Sequence, residues 1–188
     1  MADRFRPRDI GNVRNPRGLP RRFALPTPAG TGITAGTGTL YEASVDRKLN
    51  IIETSILIDL TGLASSTTDL DIIGVGTGPA HIGQITTAVN GIILGGWMKC
   101  LEVPAGGADD IDCYAATVGT GAFDDGIAAL VETVLITSGA AWTLNREVGI
   151  VADGVAADAY IYLTGGEAGT AATYTAGRFL ITLYGRPV

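Results

Sequence analysis

The chain has 188 residues, 27 of them glycine, with 46% hydrophobic and 17% charged residues and a formal net charge of −6. This balance is unlike that of a helical enzyme and suits an all-β protein with many turns. The acidity argues against a body that wraps nucleic acid, because phosphate affinity comes from lysine and arginine.

The charge is unevenly placed. Residues 1–24 hold seven arginines against Asp3 and Asp9, a formal +5 that leaves about −11 for the rest. Prolines at positions 7, 16, 20, 26 and 28 remove backbone donors and push their preceding residues toward extended conformations, so neither a helix nor a central strand fits. The Gly/Thr run AGTGITAGTG follows. Residues 1–38 therefore read as an extended arm, and residues 39–188 as one β domain of ordinary size. The charged start is not followed by an apolar stretch, so no secretory signal is expected. The uncharged run Ile72 to Met98 is long enough to span a membrane, but glycines, Pro79, His81, Gln84 and Asn90 interrupt it, and it reads as strands and turns.

Along the body, period two dominates. Thr39 to Val45 is a plausible first strand. Asn50 to Leu60 is the clearest, with Ile52, Thr54, Ile56, Ile58 and Leu60 on one face and Glu53, Ser55 and Asp59 on the other. LDIIGV and AHIGQITTAV give two more β-branched runs. Asn90-Gly91, lying between apolar runs, predicts a hairpin into IILGGWMKCLEV, and Gly95-Gly96 predicts a bulge or close backbone contact there. IDCYAAT then returns after a loop at 104–110, a pairing that sets Cys100 opposite about Cys113 as cross-strand neighbours. Ile127 to Thr137 is an apolar strand whose start is also compatible with a short helix. The stretch from Ser138 to Asp158 is the least legible, and DAYIYLT and TAGRFLITLYG close the chain as strands. Eight to ten strands without a long helix suggest a β-sandwich of jelly-roll kind, with a closed barrel as the competing architecture.

Few residues suggest chemistry. His81 is the single histidine, no G-x-S-x-G occurs, and two cysteines make neither a disulfide scaffold nor a zinc site. Cys100 and Cys113 are expected as buried thiols. The glycine-rich pieces lack the Gly-Lys-Ser/Thr of a phosphate loop. Asp109, Asp110 and Asp112 form one acidic cluster with oxygens suited to Ca²⁺, and Asp124 with Asp125 a second, but neither has EF-hand spacing. Trp97 and Trp142 suit core or interface anchors, or a sugar-binding surface. No catalytic residue, cofactor or metal is assigned.

The arm is what calls for a functional account. A solubilising tail and a nucleic-acid tether are two readings. The third, an assembly strap, fits the spacing best. Phe5, Ile10, Val13, Leu19 and Phe23 recur between arginines as a strap on a mixed surface requires, and the prolines lower the entropy cost of ordering it. Its expected partner-binding residues are Arg4, Phe5, Arg6, Arg8, Arg14, Arg17, Arg21, Arg22 and Phe23.

The body, from about Leu40 to Tyr184, resembles a group of small virion proteins of tailed bacteriophages, many from marine hosts. The resemblance rests on Asp59 to Leu63, Asp71 to Val75, Ala80 to Gly83, Ala88 to Gly91, Cys100 to Gly107 and Asp112 to Gly121. It implies a non-enzymatic capsid decoration or cement protein, or a head-fibre component. The expected partners are the major capsid protein and further copies of the chain in a homo-oligomer, with no nucleic acid and no membrane expected. The expected location is the capsid exterior, after synthesis in the bacterial cytoplasm. A head-fibre or tail adhesin that binds a host glycan is the alternative; a major capsid protein and a small hydrolase are the remoter ones.

Overall fold

The computed structural model describes residues 21–151, 153–168 and 171–188. These form an all-β protein of antiparallel sheets. In chain order the elements are β1 (Arg21–Phe23), α1 (Thr31–Thr34), β2 (Tyr41–Lys48), β3 (Ile51–Asp59), β4 (Ala64–Ser65), α2 (Thr87–Asn90) and β5 (Ile92–Ala105). There follow β6 (Ile111–Ala116), a 3₁₀ turn (Ile127–Leu130), β7 (Glu132–Ile136), β8 (Glu147–Ile150), β9 (Tyr160–Gly165), β10 (Ala172–Thr173) and β11 (Ala176–Arg186). A six-stranded sheet runs β1-β2-β3-β11-β5-β8, a three-stranded sheet runs β7-β6-β9, and β4 pairs with β10.

The period-two reading of β3 is met residue by residue. Ile52, Thr54, Ile56, Ile58 and Leu60 are all at most 1% exposed. In β11 the alternating Phe179, Ile181 and Leu183 are equally buried. They meet Ile58, Ile56 and Thr54 of β3 in register. Side chains on alternate positions of paired strands share one face, so these rows make a continuous apolar layer. The three-stranded sheet contributes Ile111, Cys113, Ala115, Ile161 and Leu163 to the same core cluster. Trp142, only 1% exposed, joins the two sheets. Its ring packs edge-on against Phe179 of β11, with centroids 5.2 Å apart. Its Nε1 donates to the Ile111 carbonyl of β6 at 2.8 Å.

The bulge expected at Gly95-Gly96 is present. The β5–β11 register steps from Tyr184↔Gly95 to Gly185↔Ile93, leaving Leu94 without an opposite residue. A side chain on Gly96 would collide with the Thr182 carbonyl of β11. Only a hydrogen fits that close approach.

The Asn90-Gly91 hairpin is not formed. Thr86 Oγ1 accepts from the Val89 amide at 3.3 Å and caps α2. Asn90 Oδ1 accepts from the Thr86 amide at 2.8 Å, while Asn90 Nδ2 donates to Thr54 Oγ1 at 2.8 Å. Gly91, at φ +73°, then ends the helical turn. The pair's tolerance of positive φ thus serves a helix stop rather than a two-residue turn. β5 pairs with β11 and β8 instead. The expected strands LDIIGV and AHIGQITTAV are likewise largely irregular, with their strand pairing limited to isolated bridges such as Ile72↔Thr164 and Gln84↔Tyr160.

The two cysteines are not cross-strand neighbours. Cys100 lies opposite Phe179 in the six-stranded sheet, and Cys113 opposite Leu163 and Ile136 in the three-stranded sheet. Both are free and buried. The expected pairing assumed that β5 and β6 form a hairpin, whereas the loop between them carries the chain from one sheet to the other.

Candidate functional site

The expected partner-binding residues Arg4, Phe5, Arg6, Arg8, Arg14 and Arg17 lie outside the described residues. Arg21, Arg22 and Phe23 form β1, which pairs antiparallel with β2 through Arg21↔Arg47, Arg22↔Asp46 and Phe23↔Val45. The extended arm drawn to Gly38 is part of the body from this strand onward. Leu25 and Ile33 are 7% and 0% exposed. The Gly30 amide donates to the His81 carbonyl at 2.9 Å, and the Gly32 amide to the Pro79 carbonyl at 2.7 Å. The Gly/Thr run therefore folds as a short helical turn seated on the 75–81 loop. The lack of side chains at Gly30 and Gly32 lets the two backbones meet.

The six-stranded sheet turns its other face outward. Cross-strand register places Glu42, Ser44 and Asp46 of β2 beside Leu57, Ser55 and Glu53 of β3. β3 in turn sets Asp59, Leu57, Ser55 and Glu53 beside Arg178, Leu180, Thr182 and Tyr184 of β11. Trp97 and Lys99 of β5 follow, opposite Thr182 and Leu180. This face is mixed. Trp97 Nε1 donates to the Tyr184 hydroxyl at 3.3 Å, which makes the two partly exposed aromatics a unit. A shallow depression of about 370 Å³ opens between Glu42, Ser44, Ser55, Leu57 and Leu180. Charged pairs lie on the same face. Arg178 Nη2 meets Asp59 Oδ2 at 2.6 Å, and Lys48 Nζ meets Glu53 at 3.1 Å. Burial pushes the Asp59 carboxyl up, but the Thr61 and Arg178 bonds outweigh it and hold the group below its ordinary range.

Trp142, the other tryptophan considered for ligand contact, is an inter-sheet anchor and is closed to solvent. The facing of Trp97 was not readable from sequence, since it depends on the β5 bulge and on which strand β5 joins. Tyr184 was readable, because it alternates with Phe179, Ile181 and Leu183.

Burial governs the titration of the histidine and of both thiols. His81 is 5% exposed between Tyr160 and Tyr162, and burial lowers its pKa, favouring neutral imidazole. Burial pushes the Cys113 thiol up to about 12 and raises Cys100 as well. Thiols so shifted are poor nucleophiles at neutral pH. Among the described residues, no three His, Cys, Asp or Glu side chains gather as a metal-binding group. No helix there is long and apolar enough to cross a membrane.

No protein-family model, no curated protein and no solved structure matches the chain.

Proposed function

We propose that this chain is a non-enzymatic virion protein of a tailed bacteriophage, a decoration or cement protein that binds the outer capsid and stabilises subunit junctions. The observation that carries this reading is the anchoring of the basic segment: β1 stitches residues 21–23 into the edge of the six-stranded sheet, directly after five of the seven arginines. A basic strap fixed to a rigid acidic body can reach a neighbouring acidic surface, and charge complementarity of this kind steers association. Twenty extended residues span at most roughly 70 Å, enough to cross an adjacent subunit. The partners are the major capsid protein and neighbouring copies, and the assembly is a homo-oligomer on the capsid exterior. The sheets joined by Trp142 are read as a jelly-roll-like β-sandwich.

The test is deletion of residues 2–20, which leaves β1 and the buried Ile33 in place. The truncated chain is expected to keep its melting temperature while losing binding to purified undecorated particles. Retained binding with unchanged particle stability would overturn the strap.

A second reading, a head-fibre or tail adhesin module, is favoured by the Trp97–Tyr184 pair on the open sheet face, since exposed aromatics stack on sugar rings. Glycan binding by the truncated chain that Trp97→Ala abolishes would select it.

A further inference from the structure

A buried polar cluster at the start of β6 has no role in the proposed attachment. Asp110 and Asp112 are 6% and 2% exposed. A methyl group placed on Gly166 would sit 3.0 Å from Asp110 Oδ1 and 3.1 Å from Asp112 Oδ1, so the two carboxylates converge over that α-carbon. The Gly166 amide donates to the Asp110 carbonyl at 2.8 Å, which fixes the end of β9 beneath them. Thr164 lies directly opposite Asp112 in the β6–β9 register and therefore on the same face.

Two atoms there lack partners. Asp110 Oδ1 has no hydrogen-bond partner, and neither does Oγ1 of Thr164, a residue with no exposed surface at all. Buried polar atoms are almost always satisfied, and a buried carboxylate left bare is costly. Asp112 Oδ1 receives one bond, from the Ser138 amide at 2.6 Å. Arg146 reaches the same loop but directs its donors to Ser138, Ala140 and Ala141. Among the described residues neither carboxylate has an ion-pair partner. Two carboxylates and a hydroxyl thus lie on one face beside Gly166 with no positive charge among the described residues to offset them.

We propose that Asp110, Asp112 and Thr164 bind a Ca²⁺ ion above Gly166. The donors are hard oxygens, as this ion requires, and Ca²⁺ accepts the irregular geometry of two carboxylates and a hydroxyl completed by water or carbonyl oxygen. Mg²⁺ demands a near-octahedral shell and holds its water, so it fits less well. Asp69, exposed and close enough to act on Asp112 electrostatically, gives the ion a negative approach from solvent. Bound there, the ion ties the start of β6 and the Ser138 turn to the end of β9.

The full chain, stripped with a chelator, is titrated with CaCl₂ and, separately, MgCl₂ by calorimetry, and its thermal unfolding is followed with and without each salt. One Ca²⁺ per chain is expected, with a Tm rise of about 5 °C or more at saturation and a smaller response to Mg²⁺. Asp110→Asn, which preserves shape, is expected to abolish the heat and the Tm rise, and Thr164→Val to weaken both. Gly166→Ala, which places a methyl between the two carboxylates, provides an independent block. Absence of heat, with a Tm change no larger than NaCl gives at matched ionic strength, overturns the site. So does a Ca²⁺ response that survives undiminished in both Asp110→Asn and Gly166→Ala.

Discussion

The imidazole of His81 is packed 4.9 Å from the Tyr160 ring centroid and 6.1 Å from that of Tyr162, and its buried Nδ1 has no hydrogen-bond partner. Such a ring tolerates protonation poorly, because a charge there loses its water without gaining a counter-charge. Its folded pKa lies below the ordinary 6.5. Between those two values the unfolded chain holds the extra proton, so stability is full above about pH 6.5 and declines as the pH falls below it. The decline levels off once the pH passes the folded pKa. Urea unfolding measured at pH 7.5 and 5.5 should show the wild type losing more stability than His81→Gln across that interval. Equal losses in the two proteins would mean that His81 does not titrate between folded and unfolded states.

At the scale of elements, α2 shows how one polar side chain replaces a turn. The Asn90 side chain joins the Thr86 amide at the start of the helical turn to the Thr54 hydroxyl of β3, with no exposed surface of its own. Asn90→Ala strands both partners inside the protein, so a loss of about 2 kcal/mol of unfolding free energy is expected by chemical denaturation, without loss of the fold. Asn90→Asp should recover part of it, since an acceptor for the Thr86 amide returns. The same residues explain why this element misled the sequence reading. Asn-Gly is compatible with a type I′ turn and with a helix stop alike, and the distinction lies in Thr54, 36 residues away. The helical alternative for the residues before β7 was legible, because IAAL lacks β-branching after its first residue, and a 3₁₀ turn forms there.

The whole molecule depends on how the two larger sheets are joined, and Trp142 is the clearest joint. Its indole packs on Phe179, its Nε1 reaches Ile111, and the Arg146 guanidinium lies 5.1 Å from the centre of its ring. Trp142→Phe keeps an aromatic but leaves the Ile111 carbonyl without this donor and a void where the larger ring stood. A destabilisation of about 2–3 kcal/mol is expected, read as a lower Tm with unchanged β-sheet circular dichroism. At this scale the basic N-terminal segment also gains a defined origin. It leaves from β1 at the edge of the six-stranded sheet, while the open face of that sheet carries Trp97, Tyr184 and the depression beside Leu57 and Leu180.

The sequence by itself determined the all-β class, the inward rows of β3 and β11, the Gly95-Gly96 bulge, the burial of both thiols and the uneven charge between residues 1–24 and the rest. Those features are local: a two-residue period, glycine spacing and charge counts are properties of neighbouring residues. Tertiary structure alone decided that Cys100 and Cys113 belong to different sheets and that Trp142 faces inward while Trp97 faces out. It also decided that the Gly/Thr run is seated on the body, and that the Asp110 and Asp112 carboxylates meet over Gly166. Each of these depends on strand partners far apart in the chain, and a period-two pattern states which face a residue takes without stating what that face will meet.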